Sequence, residues 1–464
     1  MGRIAGPFLN KPISNLRISP IGIVPKSGGS WRLITHLSYP ENNSVNHFID
    51  PYDCSVAYTS LDQVLQEVAR LGRGTVLAKM DIKSAFRLMI INPGDFDLLG
   101  FKFQGNYYID KCLPMGCAIS CNLFEKFSTF LHWELQRQVG VGTVFHYLDD
   151  FLFLGSAGSD ECACLMQGFQ KLCEAIEVPI AQEKTVGPST KVIFLGLEID
   201  TIEMVVRIPQ EKVQQLAALL SAALIKKSLQ LQEIQSLVGS LNFFSKGVPN
   251  ARAFNRRFYD ATCGVKKPHH HVKLSNELKQ DIQMWLRFLF NFNGARLIHE
   301  NEWLSSDNIE LFTDSTGNPD LGCGAYCQGH WIYWSWPNDW EISVFKEMSF
   351  LELVPILLAI YLWGEKCFAN KKIIMFIDNS ALVWIVNRQS SKSKRVMMLI
   401  RRMVLLLFKY NIMFKAQHII GKENNIADSL SRKQFQRFIQ LAPDADKYPE
   451  SLPEEFLAMM SEMK

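Results

Sequence analysis

The sequence lacks the features that mark membrane, secreted and zinc-binding proteins. Its apolar runs, such as residues 350–362, are too short or too interrupted to span a bilayer, and no N-terminal signal peptide is visible. The 11 cysteines are scattered, and neither Cys162 with Cys164 nor Cys323 with Cys327 is followed by the second pair that a zinc site requires. We therefore expect an intracellular protein, cytoplasmic or nuclear, with reduced thiols and no membrane partner.

The sequence also lacks a strong charge of either sign. It has 49 Lys and Arg and 46 Asp and Glu among 464 residues, so the net charge is only +3. This balance permits nucleic-acid binding without demonstrating it, and any phosphate-binding surface has to come from local clusters of basic residues. The chain is 48% hydrophobic, which is enough for a sizeable core, and its length predicts two to four domains.

Two adjacent acids, Asp149 and Asp150, lie between apolar runs in residues 145–154. The flanking residues are β formers, so the pattern predicts two buried strands joined by a tight turn that carries both carboxylates. Apolar surroundings do not tolerate two such charges without a compensating cation, and a hard divalent metal ion is the simplest one. The alternative is a turn that faces water, which is the commoner case for an isolated pair of acids.

A third acid, Asp81, ends another apolar strand at residues 75–81, after which the pattern becomes helical. Two strands that bring acids to one place give a three-carboxylate site, which is what phosphoryl transfer by two metal ions about 3.5–4 Å apart needs. Between these strands, residues 113–120 contain a proline and a glycine before a helix pattern. The first turn of such a helix can approach a base or a phosphate closely.

These motifs together resemble the palm of reverse transcriptases. The residues that carry the resemblance are Asp81 with Phe86, the turn at 114–116, the motif at 147–150 and the motif at 194–198. Residues 2–7, 19–26 and 31–38 are similar to the polymerase of DIRS-type retrotransposons, which integrate with a tyrosine recombinase. The resemblance implies a multidomain protein of α+β and α/β class, with a right-hand-like polymerase of fingers, palm and thumb.

The resemblance also assigns roles to residues of the palm. It implies that Asp81 and Asp149 hold two Mg²⁺ ions, with Mn²⁺ as a possible substitute, that the Ile82 carbonyl assists, and that Asp150 contributes charge or intermittent coordination. The implied nucleotide-binding residues are Lys26 and Arg32 in a hairpin with a glycine turn, Phe86, Met115, Gly116 and Lys184. Phe86 would stack under the deoxyribose, where a 2′-hydroxyl would clash, so deoxynucleoside triphosphates are the implied substrates. His36 and Ser38 depart from the pattern of many retroviral enzymes.

Two helix patterns follow at residues 211–227 and 229–246, and they resemble a thumb. A basic segment comes next, opposed only by Asp260, and its members are Arg252, Arg256, Arg257, Lys266 and Lys267. Both a solvated face and a stripe that follows nucleic-acid phosphates fit this composition. In a chain with a polymerase palm we favour the stripe.

Four further acids are embedded in apolar sequence between residues 305 and 434: Asp314, Glu352, Asp378 and Asp428. Each one alone predicts a cap or a turn, but four of them are hard to explain without a metal ion. Their order along the predicted strands and helices resembles ribonuclease H. That resemblance implies that all four carboxylates bind two Mg²⁺ ions and that His418 is a mobile histidine that shuttles a proton.

The predicted domains are fingers and palm at 1–205, a helical thumb and basic linker at 206–300, a ribonuclease H-like domain at 301–435 and an acidic tail at 436–464. The expected function is RNA-directed DNA polymerisation together with cleavage of the RNA strand of hybrids. The implied partners are an RNA template, a DNA primer, an RNA–DNA hybrid and deoxynucleoside triphosphates. Two alternatives stay open, a nuclease with incomplete fingers and an inactive nucleic-acid-binding remnant of a mobile element, and the sequence leaves the oligomeric state open.

Overall fold

The computed structural model describes residues 2–25, 29, 31–291, 293, 296–298, 303–419 and 424–461. The chain divides into two compact units, Met1–Met204 and Val205–Lys464. The first unit holds the predicted fingers and palm. The second unit holds the predicted thumb, the ribonuclease H-like region and the C-terminal segment.

The first unit is a mixed α and β structure. Its strands are β1 (Ile4–Phe8), β2 (Ile21–Pro25), β3 (Trp31–Thr35), β4 (Val76–Asp81), β5 (Gly100–Phe103), β6 (Asn106–Asp110), β7 (Thr143–Tyr147), β8 (Asp150–Gly155), β9 (Val186–Ser189), β10 (Lys191–Phe194) and β11 (Leu197–Asp200). Its α-helices are α1 (Leu61–Leu71), α2 (Ser120–Val139) and α3 (Glu161–Ala175). The sheet that carries the predicted palm acids is antiparallel, in the order β7-β8-β4-β9.

The predicted elements of this unit form for local reasons. The helix predicted at residues 61–71 is confirmed, and it begins with a capping box in which Ser60 and Gln63 satisfy each other's backbone N–H groups. Strand β8 is buried along most of its length because helices α2 and α3 cover it. The aromatic side chains that fill this interface are Phe124, Phe151, Phe153 and Phe169, and all four are fully buried. Each contributes about 1.5–3 kcal/mol by leaving water.

The second unit contains a helical part and a further αβ part. Its strands are β12 (Val205–Arg207), β13 (Ser228–Gln230), β14 (His271–Lys273), β15 (Arg296–Leu297), β16 (Leu304–Ser305), β17 (Leu311–Ser315), β18 (Gly322–Cys327), β19 (His330–Ser335), β20 (Lys372–Ile377) and β21 (Met413–His418). Its helices are α4 (Gln210–Ile225), α5 (Leu231–Phe244), α6 (Arg256–Thr262), α7 (Asn276–Asn291), α8 (Ile342–Phe345), α9 (Met348–Trp363), α10 (Ser380–Arg388), α11 (Lys394–Lys409), α12 (Asn425–Ser431), α13 (Phe435–Leu441) and α14 (Glu454–Ser461). Strands β17, β18 and β19 pair antiparallel, whereas β16, β20 and β21 pair parallel.

Helix α9 is longer than its sequence predicts. It continues as a π-helical turn, and the stretch Met348–Phe368 is 21 residues long with a mean hydropathy of 1.5. By length and composition alone it could cross a membrane, so the expectation that this stretch is too short does not hold. In the structure most of that stretch is buried, as in the core helix of a globular domain.

The C-terminal segment packs against the second unit. Phe456 and Met460 of α14 are 0% and 1% exposed. The Glu450 backbone N–H donates to the Trp331 carbonyl at 2.8 Å, and the His330 ring lies 2.6 Å from the Asp446 carboxylate. Residues 446–460 are therefore part of the fold of this unit rather than a free acidic tail.

A buried ion cluster lies between the thumb helices and α11. Asp281 on α7 is 2% exposed, and its two oxygens accept from Arg257 at 2.8 Å and from Arg401 at 3.1 Å. Burial raises the pKa of Asp281 to about 6, against the opposing effect of both guanidinium groups. Arg257 also donates to the Glu277 carbonyl. These contacts pair Arg257 with Asp281 while 31% of its side chain stays exposed, and its predicted place in a phosphate-binding stripe stays a prediction.

Removing the central acid of this cluster should be severely destabilising. We expect Asp281→Ala to lower the free energy of unfolding by about 3–5 kcal/mol, because two guanidinium groups would lose their counter-charge in a buried place. Urea denaturation at neutral pH measures this. The matched control is Asp260→Ala, which breaks the i,i+4 pair with Arg256 at a 54% exposed carboxylate and should cost less than about 1 kcal/mol. Equal losses in the two variants would contradict the assignment.

Candidate functional site

The three palm acids meet at one end of the β7-β8-β4 sheet. Asp150 pairs with Tyr147 across the hairpin and with Asp81 on β4. The Ile82 N–H donates to the Asp149 carbonyl at 2.9 Å, and Leu148 takes a left-handed conformation with φ of +53° in the turn. The hairpin predicted from residues 145–154 is therefore confirmed, and strand pairing brings the acids together.

The palm acids are poorly solvated and repel one another. Asp81 is 5% exposed, and burial, reinforced by Asp149 and Asp150, raises its pKa to about 6. Burial also raises the pKa of Asp149. Two lysines offset this charge: Lys184 donates to both Asp81 oxygens at 3.0 and 2.9 Å, and Lys79 lies 3.0 Å from an Asp150 oxygen.

The donor set at this site suits a hard divalent cation, since it consists of carboxylate oxygens. Burial, and after it the charges of Asp149 and Asp150, raises the pKa of Asp81, and such a cation would offset both effects. Among the described residues, however, no three His, Cys, Asp or Glu side chains are grouped closely enough to hold a metal ion as they stand. Lys184 and Lys79 occupy oxygens of Asp81 and Asp150, so binding of a metal ion requires the lysines to swing away.

The predicted nucleotide-binding residues fall into different situations. Lys26 lies outside the described residues. Arg32 is on β3 of the predicted hairpin, and its charge lowers the pKa of Asp149, which places it near the acids. Phe86 is half-buried, with its ring centroid 5.6 Å from that of Phe124 in the palm core, so part of its surface packs internally.

The turn with Met115 and Gly116 is fastened to β3. The Thr35 N–H donates to the Met115 carbonyl at 2.9 Å. Gly116 has φ of +116°, and a Cβ there would lie 2.0 Å from the Thr35 carbonyl oxygen, so no other residue fits without moving the backbone. The Asn46 side chain donates to the Gly116 carbonyl and accepts from the Ala118 N–H, each at 2.9 Å.

The four predicted acids of the second unit influence one another electrostatically. Asp314 is the residue before the last in β17 and Glu352 lies on α9, while Asp378 follows β20 and Asp428 lies on α12. Burial, followed by the charges of Asp428 and Asp378, raises the pKa of Asp314 to about 6. Burial also raises the pKa of Glu352 to about 7, and Asp378 and Asp314 add to it. The fold thus brings together acids that are up to 114 positions apart in sequence.

Polar partners already hold several of these carboxylates. Ser431 donates to Asp314, and the Asn379 side chain donates to Glu352 at 3.2 Å. The other Glu352 oxygen is buried without a hydrogen-bond partner, which makes it a candidate metal ligand. Arg432 and Arg437 bind the two oxygens of Asp428, so Asp428 has to be released before it can bind a metal ion.

His418 is the last residue of β21 and pairs in register with Ile377, the residue before Asp378. Its side chain is exposed. The imidazole can therefore exchange a proton with solvent, and its predicted role beside the acids stays a prediction.

Sequence reasoning missed Lys79, Glu125 and Arg437. Lys79 could have been found, since side chains two apart in a strand share a face and Lys79 lies two positions before Asp81. Arg437 gives no such signal, because its contact with Asp428 crosses from one helix to the next. Glu125 lies on α2 below the Asp149 turn, and its contacts are described below.

The thumb helices form an open cleft of about 490 Å³ between α4 and α5. The Lys212 and Lys246 ammonium groups lie 4.8 and 5.9 Å from the centroid of the Phe243 ring. A Cβ on Gly239 would meet nothing within 4 Å. The cleft therefore offers a cationic and aromatic surface with open space at its centre. Outside it, Arg252, Lys266 and Lys267 are exposed, while Arg256 pairs with Asp260.

The raised pKa of Glu352 gives a test of the second carboxylate set. The pKa of Glu352 is about 7 in the fold, above the ordinary value of 4.5 for a glutamate. The protonated carboxyl is tolerated in its buried place, so its contribution to stability is fully present below pH 4.5. That contribution is lost as the pH rises through 7 and the buried carboxyl ionises. In metal chelator, Glu352→Gln should therefore match the wild type at pH 5 and be more stable by about 1–2 kcal/mol at pH 8. Thermal unfolding at both pH values measures this. Glu365→Gln, an exposed acid in the π-helical turn, should show no such pH-dependent gain.

The match to a known protein family lies within the first of the two units. Residues 24–199 match the family described as reverse transcriptase (RNA-dependent DNA polymerase). The chain is 24% identical over 290 residues to the Gag-Pro-Pol polyprotein of human T-cell leukemia virus 3, covering 61% of this chain and 18% of the polyprotein. It is 25% identical over 432 residues to the transposon Tf2-7 polyprotein of Schizosaccharomyces pombe, covering 89% of this chain and 29% of that one.

A solved structure shows a similar fold. It is the foamy viral protease-reverse transcriptase in complex with an RNA/DNA hybrid, which matches with a TM-score of 0.50 and 16% identity over 97% of this chain and 54% of that chain. The chain thus spans less than a third of each of the two polyproteins and about half of the foamy viral chain. Residues 24–199 are thus similar to the reverse transcriptase family, and the chain is similar to parts of retroviral and Tf2 retrotransposon polyproteins.

Proposed function

We propose that this chain is the RNA-directed DNA polymerase of a DIRS-type retrotransposon and that it also cuts the RNA strand of RNA–DNA hybrids. The observation that carries the proposal is the presence of two sets of converging, partly buried carboxylates. One set lies at the end of the β7-β8-β4 sheet and the other lies on β17, α9, β20 and α12. Either set alone is costly to bury, and a reaction that uses cations accounts for both.

In the palm, Asp81 and Asp149 would hold two Mg²⁺ ions, with the Ile82 carbonyl as a further ligand and Asp150 as a nearby charge. When bound, the ions make the primer 3′-hydroxyl more acidic and neutralise the triphosphate. Lys184 neutralises Asp81 in the free enzyme, and its side chain is 56% exposed. It would turn from Asp81 toward the phosphates of the incoming nucleotide, while Arg32 meets them from β3.

In the second unit, Asp314, Glu352, Asp378 and Asp428 would hold two Mg²⁺ ions. When bound, these ions activate a water for attack on the RNA phosphodiester. Arg432 and Arg437 neutralise Asp428 in the free enzyme, as Lys184 does for Asp81. His418 would carry a proton between the site and solvent as the product leaves.

The nucleic-acid partners of this proposal are an RNA template with a DNA primer and the hybrid that they form. The foamy viral enzyme of similar fold was solved with an RNA/DNA hybrid. The thumb cleft of Lys212, Phe243 and Lys246 suits a nucleic-acid backbone because it combines cations with an aromatic surface. Such a chain would work inside the cell, where templates and nucleotides are available.

The two activities should be separable by mutation. Asp149→Asn should lower primer extension on an RNA template by at least about two to three orders of magnitude, because a carboxylate that balances the ions is lost, and should leave hybrid cleavage nearly intact. Asp378→Asn should lower hybrid cleavage to the same extent and leave primer extension nearly intact. Both assays use one preparation of each variant, with a labelled primer and a labelled hybrid.

The controls for this pair are Asp95→Asn and Asp320→Asn, two exposed acids in the same respective units, and both activities should survive in each. An Asp149→Asn protein that extends primers normally would overturn the palm assignment. Wild-type protein that cuts hybrids without extending primers would favour a nuclease with incomplete fingers. Wild-type protein that does neither would favour an inactive remnant.

The thumb cleft can be tested by filling its open centre. Gly239→Leu should raise thermal stability, since Leu is a better helix former than Gly by roughly 0.5–1 kcal/mol and its Cβ meets no neighbour within 4 Å. The same change should weaken template–primer binding about tenfold or more by blocking the cleft. Gly239→Ala should gain similar stability with a smaller loss of affinity. Unchanged affinity of Gly239→Leu in a filter-binding titration would show that nucleic acid does not enter the cleft.

A further inference from the structure

A buried acid and two histidines lie directly beneath the turn that carries Asp149. Glu125 and His132 come from α2, and His146 comes from β7. Glu125 and His146 are each 8% exposed. Neither the palm mechanism nor the core packing accounts for them, because an apolar side chain at position 125 would avoid the cost of burying a carboxylate.

Helix α2 holds both backbone polar groups of Leu148, the residue before Asp149. The Leu148 N–H donates to Glu125 Oε2 at 3.0 Å, and the Leu148 carbonyl accepts from the Ser128 hydroxyl at 2.8 Å. Leu148 has φ of +53°, a conformation that costs a non-glycine residue free energy. These two bonds from α2 are what offsets that cost, so they determine the path of the turn.

The histidines in turn hold Glu125. His146 Nε2 lies 3.2 Å from Glu125 Oε1, and His146 Nδ1 lies 2.9 Å from His132 Nδ1. Burial and the nearby His146 lower the pKa of His132 to about 4, so His132 is neutral at physiological pH. The close approach of His146 Nε2 therefore confines the Glu125 carboxylate by contact and charge, without an aligned hydrogen bond between the two side chains.

We propose that Glu125 is a positioning residue of the palm site: it orients the Leu148 backbone and thereby aims the Asp149 and Asp150 carboxylates, with His146 and His132 keeping it in place. The expected effect on the rate of primer extension rests on the proposed polymerase function. The expected effect on metal binding by the palm acids does not depend on which reaction the site catalyses.

Two substitutions of Glu125 separate positioning from packing. Glu125→Gln keeps a side-chain oxygen that accepts from the Leu148 N–H, whereas Glu125→Leu keeps the volume and leaves that N–H without a partner. The kinetic readout is single-turnover primer extension at varied nucleotide concentration. We expect Glu125→Leu to lower the maximal rate about 10- to 100-fold, as misplacement of reacting groups by an ångström does, with the half-saturating nucleotide concentration within about threefold of wild type. Glu125→Gln should restore most of the rate.

Metal binding supplies a readout that does not require polymerase activity. Mn²⁺ titration is followed by electron paramagnetic resonance in full-length protein that carries Asp378→Asn, which weakens the second site. Glu125→Leu should weaken binding at the palm about tenfold, and Glu125→Gln should restore it. Hybrid cleavage in the same Glu125 variants without Asp378→Asn should stay at the wild-type level, since Glu125 lies in the other unit.

The outcomes differ for the two hypotheses. If wild-type protein extends no primer but Mn²⁺ binding still falls in Glu125→Leu and returns in Glu125→Gln, the polymerase function fails and the positioning role stands. If folded Glu125→Leu matches wild type in rate and Mn²⁺ affinity, or if Gln is as damaging as Leu, the positioning role is overturned.

Ser128→Ala gives a second route if Glu125→Leu does not fold. It removes only the bond to the Leu148 carbonyl and leaves a small side chain in place. We expect a three- to tenfold loss of maximal rate and a matching loss of Mn²⁺ affinity, roughly what one hydrogen bond is worth. A folded Ser128→Ala protein that is normal in both measurements would contradict the claim that α2 sets the path of the turn.

Discussion

Repulsion between partly buried carboxylates is the interaction on which the rest of this structure depends. Acids that are poorly solvated and close together resist ionisation: burial is the larger cause of the raised pKa values of Asp81, Asp314 and Glu352, and the neighbouring acids add to it. Basic side chains form ion pairs with these carboxylates and offset their charge: Lys184 and Lys79 in the palm, and Arg432 and Arg437 in the second unit. Lysine and arginine on flexible stems can release a carboxylate when a stronger cation arrives. Both sites thus use the same arrangement on unrelated elements.

The sequence predicts the acids well because their signal is local. A charged residue at the end of an apolar strand is conspicuous, and period-two alternation determines which face it takes. The same rule would have identified Lys79 on the face of Asp81. The helices at 61–71 and in the predicted thumb were predictable for the same reason, because the spacing of their apolar residues is a local signal. Helices α1 and α5 also begin with a capping box.

What the sequence could not supply is the partner of each charge. Arg257 is one member of a basic run in the sequence. In the structure it pairs with a buried carboxylate 24 positions away, Asp281, and Arg401 completes that cluster from a helix still further along. The sequence likewise indicated no contact for the acidic C-terminal segment, because its contacts with His330, Trp331 and the core of the second unit are all long-range. Composition gives the number of charges in a segment, and only tertiary contacts determine which of them face solvent.

Backbone placement at the palm follows from the same electrostatic constraint. Because the acids repel one another, their separation has to be imposed by the scaffold rather than by attraction between them. The scaffold does this with closely fitted backbone. Gly116 packs against β3 at a point where no Cβ fits. Leu148, in its left-handed conformation, is held through both its N–H and its carbonyl. A polar pair such as Glu125 and His146 is costly inside a core. It persists because a directed hydrogen bond orients a peptide group in a way that an apolar contact of the same volume cannot.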